Sequence, residues 1–167
     1  MKWINKFKPS NNVIRKQEKI DSKANRKFSL KDYIVLDIET PNHKNSSICS
    51  IAFIQVKENV IIKKESYLIN PEDRFDDKNM SINRITPMMV KDAITLDKFW
   101  HTYGNLLTNN VIVGHNIKFD ISAITKALSK YKIKIPEFKI ICTLELSKKY
   151  FNLENYNLDK ICQHLKI

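Results

Sequence analysis

Glycine is almost absent: Gly104 and Gly114 are the only two in 167 residues. That scarcity excludes the Gly-rich loops that cradle phosphates in P-loop and dinucleotide-binding proteins. Cysteine is nearly as sparse. Cys49, Cys142 and Cys162 are odd in number and form no C-x-x-C pair, so neither a disulfide framework nor zinc is indicated, and all three read as small core residues. No apolar run reaches the roughly 18 to 20 residues of a membrane span. The opening Met1-Lys2-Trp3-Ile4-Asn5-Lys6 carries charge but no sustained apolar stretch after it. A cytoplasmic protein without membrane contact is expected.

Acidic residues are also in deficit, 18 against 29 Lys and Arg, and the surplus is uneven. Residues 1 to 28 hold nine of the cations against Glu18 and Asp21 alone, a net of +7 out of the chain's +11. The excess therefore belongs mainly to a basic N-terminal arm or linker, residues 1 to 30, with at most a short helix from Val13 to Lys27. Such an arm either grips nucleic acid or stays solvated as a polar tail. Residues 31 to 167 are long enough for one domain with a core and too short for two.

The densest chemistry begins where the apolar run Tyr33-Ile34-Val35-Leu36 ends in Asp37-Ile38-Glu39-Thr40. In an extended strand, alternate side chains share a face, so Asp37 and Glu39 point together while Leu36 and Ile38 point into the core. Two adjacent carboxylates resist ionisation unless a cation lies between them, and hard oxygen ligands suit Mg2+ or Mn2+. The bland alternative is a solvated strand end carrying two unrelated acids. Downstream, Ile48 to Lys57 and Val60 to Ile69 read as strands joined by Glu58-Asn59 in a hairpin. Helical spacing follows over Pro87 to Val90 and Thr95 to Leu107. Val111-Ile112-Val113 is a short buried strand stopped by Gly114, and Phe119 to Tyr131 a helix with Ile121, Ile124 and Leu128 on one stripe. Phe138 to Cys142 gives a last strand, with helices near Leu144 to Tyr150 and Leu158 to Leu165. This order implies an α/β fold with a mixed sheet.

A second motif, Val113-Gly114-His115-Asn116-Ile117-Lys118-Phe119-Asp120, places an acid in the first turn of a helix, where the dipole alone would favour it. His115 and Asn116 follow the strand end, at the rim where α/β proteins place ligands. With Leu36-Asp37-Ile38-Glu39-Thr40 before it, and Ile69-Asn70-Pro71-Glu72 and Ile82-Asn83-Arg84-Ile85-Thr86-Pro87 between, the chain from about residue 32 resembles the DEDD superfamily of 3′-5′ exonucleases. The group in question is typified by the epsilon subunit of DNA polymerase III and the exonuclease region of PolC-type polymerases. The resemblance implies a ribonuclease-H-like fold and two-metal hydrolysis with Mg2+ or Mn2+, releasing nucleotides from DNA 3′ ends. It assigns Asp37, Glu39 and Asp120 as catalytic metal ligands, with Asp37 bridging two ions. Thr40, His115, Asn116 and Phe119 would lie against the terminal nucleotide, although the apolar neighbours of Phe119 favour a core ring.

The family's third motif, His-x-x-x-x-Asp, is not found: only His115 has an acid at that spacing, and that acid is Asp120 of the second motif. His43 and His101 fall in the wrong elements, and the segment Tyr156 to Ile167 resembles the helix that precedes the missing motif. The expectation is a C-terminally incomplete exonuclease domain lacking its closing helix, which leaves Leu158, Ile161 and Leu165 uncovered. One ion at most would bind, and activity would be reduced or lost. The alternatives are a noncatalytic nucleic-acid-binding remnant and a polymerase-associated module. Implied partners are single-stranded DNA 3′ ends, a DNA polymerase, or a polypeptide supplying the C-terminal element. Asn83, where relatives commonly carry histidine, reads as tolerable variation.

Overall fold

A computed structural model describes residues 30 to 135 and 137 to 167. Residues 1 to 29, which hold the basic arm and the short helix expected in it, lie outside the described residues. Strand β1 (Tyr33–Glu39) leads into the hairpin of β2 (Ser50–Lys57) and β3 (Val60–Asn70). Helices α1 (Asp77–Asn83) and α2 (Pro87–Val90), strand β4 (Ile94–Thr95) and helix α3 (Leu96–Thr108) follow. Then come β5 (Val111–Gly114), α4 (Ile117–Ser129), β6 (Lys139–Cys142), α5 (Thr143–Tyr150) and α6 (Leu158–Leu165).

The six strands form one sheet in the order β4-β3-β2-β1-β5-β6. β1 pairs antiparallel with β2 and parallel with β5, so it lies on the seam where the sheet changes sense. Two-residue turns whose central φ angles are both positive match the twist of a hairpin. Glu58 and Asn59 supply them, at φ 48° and 63°. The turn is drawn back to the start of β1 by Glu58 N donating to Asp32 Oδ1 at 2.8 Å and Asn59 N to the Lys31 carbonyl at 3.1 Å.

Alternation decides how β1 is used. Ile34, Leu36 and Ile38 are buried, whereas Tyr33, Val35 and Glu39 are half-buried and Asp37 is exposed. The buried set joins Ile51, Phe53 and Ile112 of the neighbouring strands, with Leu96, Phe99 and Leu107 from α3 and Ile117, Ala123, Ile124, Ala127 and Leu128 from α4. This is the main core, and burial of side chains this large is worth about 1.5 to 3 kcal/mol each relative to exposure. A smaller cluster of Cys49, Ile85 and Val90 anchors the segment around α1 and α2. Cys142 is also buried and Cys162 is half-buried.

Two elements escape the sequence pattern. Helix α1 buries no residue, so it has no apolar stripe to betray it, and β4 is only two residues long. The expected exposure of the last helix holds for Leu165, at 46 %, but not for Ile161, which is buried, while Leu158 is half-buried. Among the described residues no helix is long and apolar enough to cross a membrane.

Candidate active site

Asp37 and Glu39 project from the same face of β1, as the period-two pattern requires. The third acid arrives from 82 residues away. Strand β5 runs beside β1 and ends at Gly114, where the backbones approach closely. A Cβ at Gly114 would meet Ile117 Cδ1 at 2.6 Å and the Leu36 carbonyl at 3.0 Å, so only glycine lets the turn fold this tightly against β1. Asn116 then adopts the left-handed conformation, φ 59°, and starts α4; asparagine tolerates that region better than most residues. One turn later Asp120 is buried, at 6 % exposure, and accepts a hydrogen bond through Oδ1 from the Ile38 amide at 3.1 Å. The donor lies between the two acids of β1, which brings all three carboxylates to one end of the sheet.

Their electrostatics register that proximity. Burial, then the charge of Asp37 and, less strongly, that of Glu39, push the Asp120 carboxyl up to about 7, against a smaller opposing pull from the Ile38 amide. Glu39 is raised by burial and by Asp37, and Asp37, although the residue as a whole is exposed, is raised by desolvation of its carboxyl group. Among the described residues no three His, Cys, Asp or Glu side chains already close on a common point as metal ligands. The repulsion that raises these carboxyls also opposes such closure. As a donor set they fit a hard divalent cation: all oxygen, mutually repelling, and with Asp120 spending only one oxygen on the backbone.

The remaining sequence-predicted residues divide. His115 is half-buried, with Nδ1 3.1 Å from Thr143 Oγ1, and burial lowers its pKa. Thr143 Oγ1 also lies 3.2 Å from the Gly114 carbonyl, so this histidine and threonine tie the β5 turn to the start of α5. Asn116 is exposed, and its side chain does not cap α4. Phe119 is not a core ring: it is 44 % exposed. Helix α4 buries 117, 120, 123, 124, 127 and 128, and position 119 falls about 200° around the helix from 117, off that stripe. Beside it, Lys118 Nζ pairs with Glu145 Oε1 at 2.6 Å.

Thr40 is buried and its oxygens are already engaged. Asn79 Nδ2 donates to the Thr40 carbonyl at 3.1 Å and to Oγ1 at 3.2 Å, and Asn83 Nδ2 donates to the same carbonyl at 3.1 Å. Asn83 Nδ2 also lies 3.9 Å from Cys49 Sγ. Sequence reasoning missed both asparagines as parts of the site. Their i, i+4 spacing was the available signal, since it places them on one face of a helix.

The exonuclease family model of RNase T type matches residues 34 to 167. A PolC-type DNA polymerase III of Caldanaerobacter subterraneus subsp. tengcongensis is 28 % identical over 139 residues, covering 81 % of this chain and 10 % of the polymerase. The DNA polymerase III epsilon subunit of Aquifex aeolicus is 26 % identical over 135 residues, 79 % of this chain and 67 % of that subunit. The chain thus spans about a tenth of the PolC-type relatives and two thirds of the epsilon subunit. Among solved structures, exonuclease X in complex with 5′ overhanging duplex DNA has the same fold, with a TM-score of 0.65 and 24 % identity over 81 % of this chain and 74 % of that one. With a family match over four fifths of its length and a ribonuclease-H-like sheet, the chain belongs to the DEDD superfamily of exonucleases, as a 3′-5′ exonuclease domain of the epsilon and PolC type.

Proposed function

We propose that this chain acts at DNA 3′ ends through a centre built from Asp37, Glu39 and Asp120. The observation that carries the reading is the hydrogen bond from the Ile38 amide to Asp120, which gathers three otherwise unrelated acids at one strand end. The family is divalent-metal dependent. Here Asp37, Glu39 and Asp120 are the residues that hold Mg2+ or Mn2+, one ion at most from three carboxylates. When bound, divalent ions supply Lewis acidity that activates water and stabilises the departing 3′ oxygen. In the overall reaction water adds to phosphorus, the P–O3′ bond breaks, and a nucleoside 5′-monophosphate leaves. Phe119 offers an exposed ring on which the terminal base stacks, and the Asn116 turn lies beside it. Cytoplasmic single-stranded DNA ends are the substrate in this reading, and a DNA polymerase or a polypeptide completing the site is the partner.

Activity is reduced or absent in this chain, because no histidine stands ready as base. His115 is the only one with an acid five residues on, and its Nδ1 is engaged by Thr143. A positioned base is worth about 10²- to 10⁴-fold. That observation also supports a second reading, a noncatalytic nucleic-acid-binding module that uses the basic arm.

The test is 5′-labelled single-stranded DNA incubated with Mn2+. A slow ladder shortening from the 3′ end, lost in Asp37→Ala, supports the nuclease. DNA that stays intact but is bound in a salt-dependent manner, with binding that survives Asp37→Ala and disappears on deleting residues 1 to 28, supports the second reading.

A further inference from the structure

We propose that Tyr150, at the exposed end of α5, is a second stacking ring that receives single-stranded DNA upstream of the terminal nucleotide. The inference rests on the reading of Asp37, Glu39 and Asp120 as a 3′-end centre. Helix α5 starts against that centre. Thr143 Oγ1 lies 3.1 Å from His115 Nδ1 and 3.2 Å from the Gly114 carbonyl, and Glu145 Oε1 holds Lys118 Nζ at 2.6 Å beside the exposed ring of Phe119. Tyr150 follows Thr143 by seven residues, so it lies on the same side of the helix and about 10 Å further along its axis. A stacked strand advances about 3.4 Å per nucleotide, which makes the step about three nucleotides.

Packing does not account for the ring. Helix α5 is seated by Ser147, which is buried and returns its hydroxyl to the Thr143 carbonyl at 2.6 Å. Tyr150 is 67 % exposed, and Leu146, one turn before it, is 43 % exposed. The helix dipole explains Lys148 and Lys149 in the last turn, but not an aromatic residue after them. The Lys149 ammonium lies 5.3 Å from the centre of the Tyr150 ring. It covers one face at most, which leaves the other open to a base and sets a positive charge where the accompanying phosphate would pass. Lys118 supplies a further cation at the near end, and Glu145 is the only acid in α5. A polypeptide covering this end would have to desolvate the ammonium groups with the ring, whereas phosphates compensate them. The charge therefore selects nucleic acid.

The test is fluorescence anisotropy of the full chain and its variants in Ca2+, with 5′-labelled oligothymidylates: a dinucleotide, and a strand of about twelve nucleotides, within the span of such tracks. Tyr150→Ala is expected to weaken the longer strand by at least about fivefold, the low end for one stacked base, and to leave the dinucleotide unchanged. Phe119→Ala weakens both, and Tyr150→Phe retains the affinity. Lys149→Gln is expected to flatten the slope of log affinity against log salt by about 0.7, the share of one phosphate contact to a single strand. Glu145→Gln, which removes a negative charge and frees Lys118, tightens the longer strand by about two- to fivefold. Unchanged binding of the longer strand in Tyr150→Ala would overturn the proposal. So would equal losses for both lengths, since Tyr150 would then act through the fold. A changed sedimentation coefficient in Tyr150→Ala with DNA binding intact would overturn it in favour of a protein contact. If Phe119→Ala and Asp37→Ala bind both lengths as the wild type does while Tyr150→Ala loses the longer strand, the 3′-end centre fails and the stacking role of Tyr150 stands. Dinucleotide binding that needs Phe119, beside a longer strand indifferent to Tyr150, leaves the centre and removes that role.

Discussion

The amide of Ile38 donates to Asp120 at 3.1 Å, and it is the peptide N–H flanked by Asp37 and Glu39. A buried carboxylate is held against two others by a single neutral donor. The arrangement is electrostatically uncomfortable in the absence of a cation, and that discomfort is measurable.

Asp120→Asn is expected to stabilise the metal-free protein at pH 8 by about 2 kcal/mol, since the amide oxygen still accepts from Ile38 while the repulsion disappears. The sign follows from the raised carboxyl. Its folded pKa of about 7 exceeds the ordinary 3.8, so the folded state binds more protons between those values. Stability from this group therefore falls as pH rises from about 4 through 7, and the advantage of the variant shrinks on acidification. His115, whose pKa burial lowers, acts oppositely below its ordinary 6.5 but is common to both proteins. Paired thermal melts at pH 8 and pH 5 check this; a less stable variant at pH 8 would refute it.

Mn2+ should reverse the penalty. At about 100 times its dissociation constant, a ligand specific for the folded state adds about 2.7 kcal/mol. Titration calorimetry is expected to give one ion at most, with Asp37→Asn weakening it more than Glu39→Gln. Two tight sites, or the opposite ranking, would contradict the assigned roles.

Phe119→Ala separates a stacking ring from a packing one. With 44 % of the residue exposed, the expected cost in chemical denaturation is below about 1 kcal/mol, well short of a core phenylalanine. Affinity for single-stranded DNA should fall by about 1 to 3 kcal/mol, the worth of one stacked base. Unchanged affinity with a large stability loss would restore the core reading.

Gly114→Ala is expected to destabilise the fold by about 1 to 3 kcal/mol, because the added methyl meets Ile117 Cδ1 and the backbone oxygen of Leu36, and backbone cannot yield as a side chain can. Loss of the Asp120 contact should accompany it. The Ile38 amide would then exchange with solvent deuterium faster relative to its neighbours than in the wild type.

What the sequence disclosed depended on whether burial wrote a period into it. Asp37 and Glu39 were legible because Leu36 and Ile38 alternate with them, and the Glu58-Asn59 turn because two strands meet there in register. Gly114 stood out for its rarity. Phe119 was misjudged because apolar neighbours along the chain are not neighbours around a helix: Ile117 is fully buried and Ile121 half-buried, while the ring between them is exposed. Asn79 and Asn83 were passed over for a different reason. Their helix is held by hydrogen bonds to one threonine more than 35 residues distant, and a single i, i+4 pair of asparagines, the one trace such polar docking leaves, is weak beside an apolar stripe.

The two walls of the centre consequently belong to different tiers of local stability. Asp37 and Glu39 ride on an interior strand flanked on both sides and backed by the main core, so their amides open only with the whole domain. Helix α1, with nothing buried, can fray at a fraction of that cost. Opening of α1 alone would therefore leave the sheet that carries the acids intact.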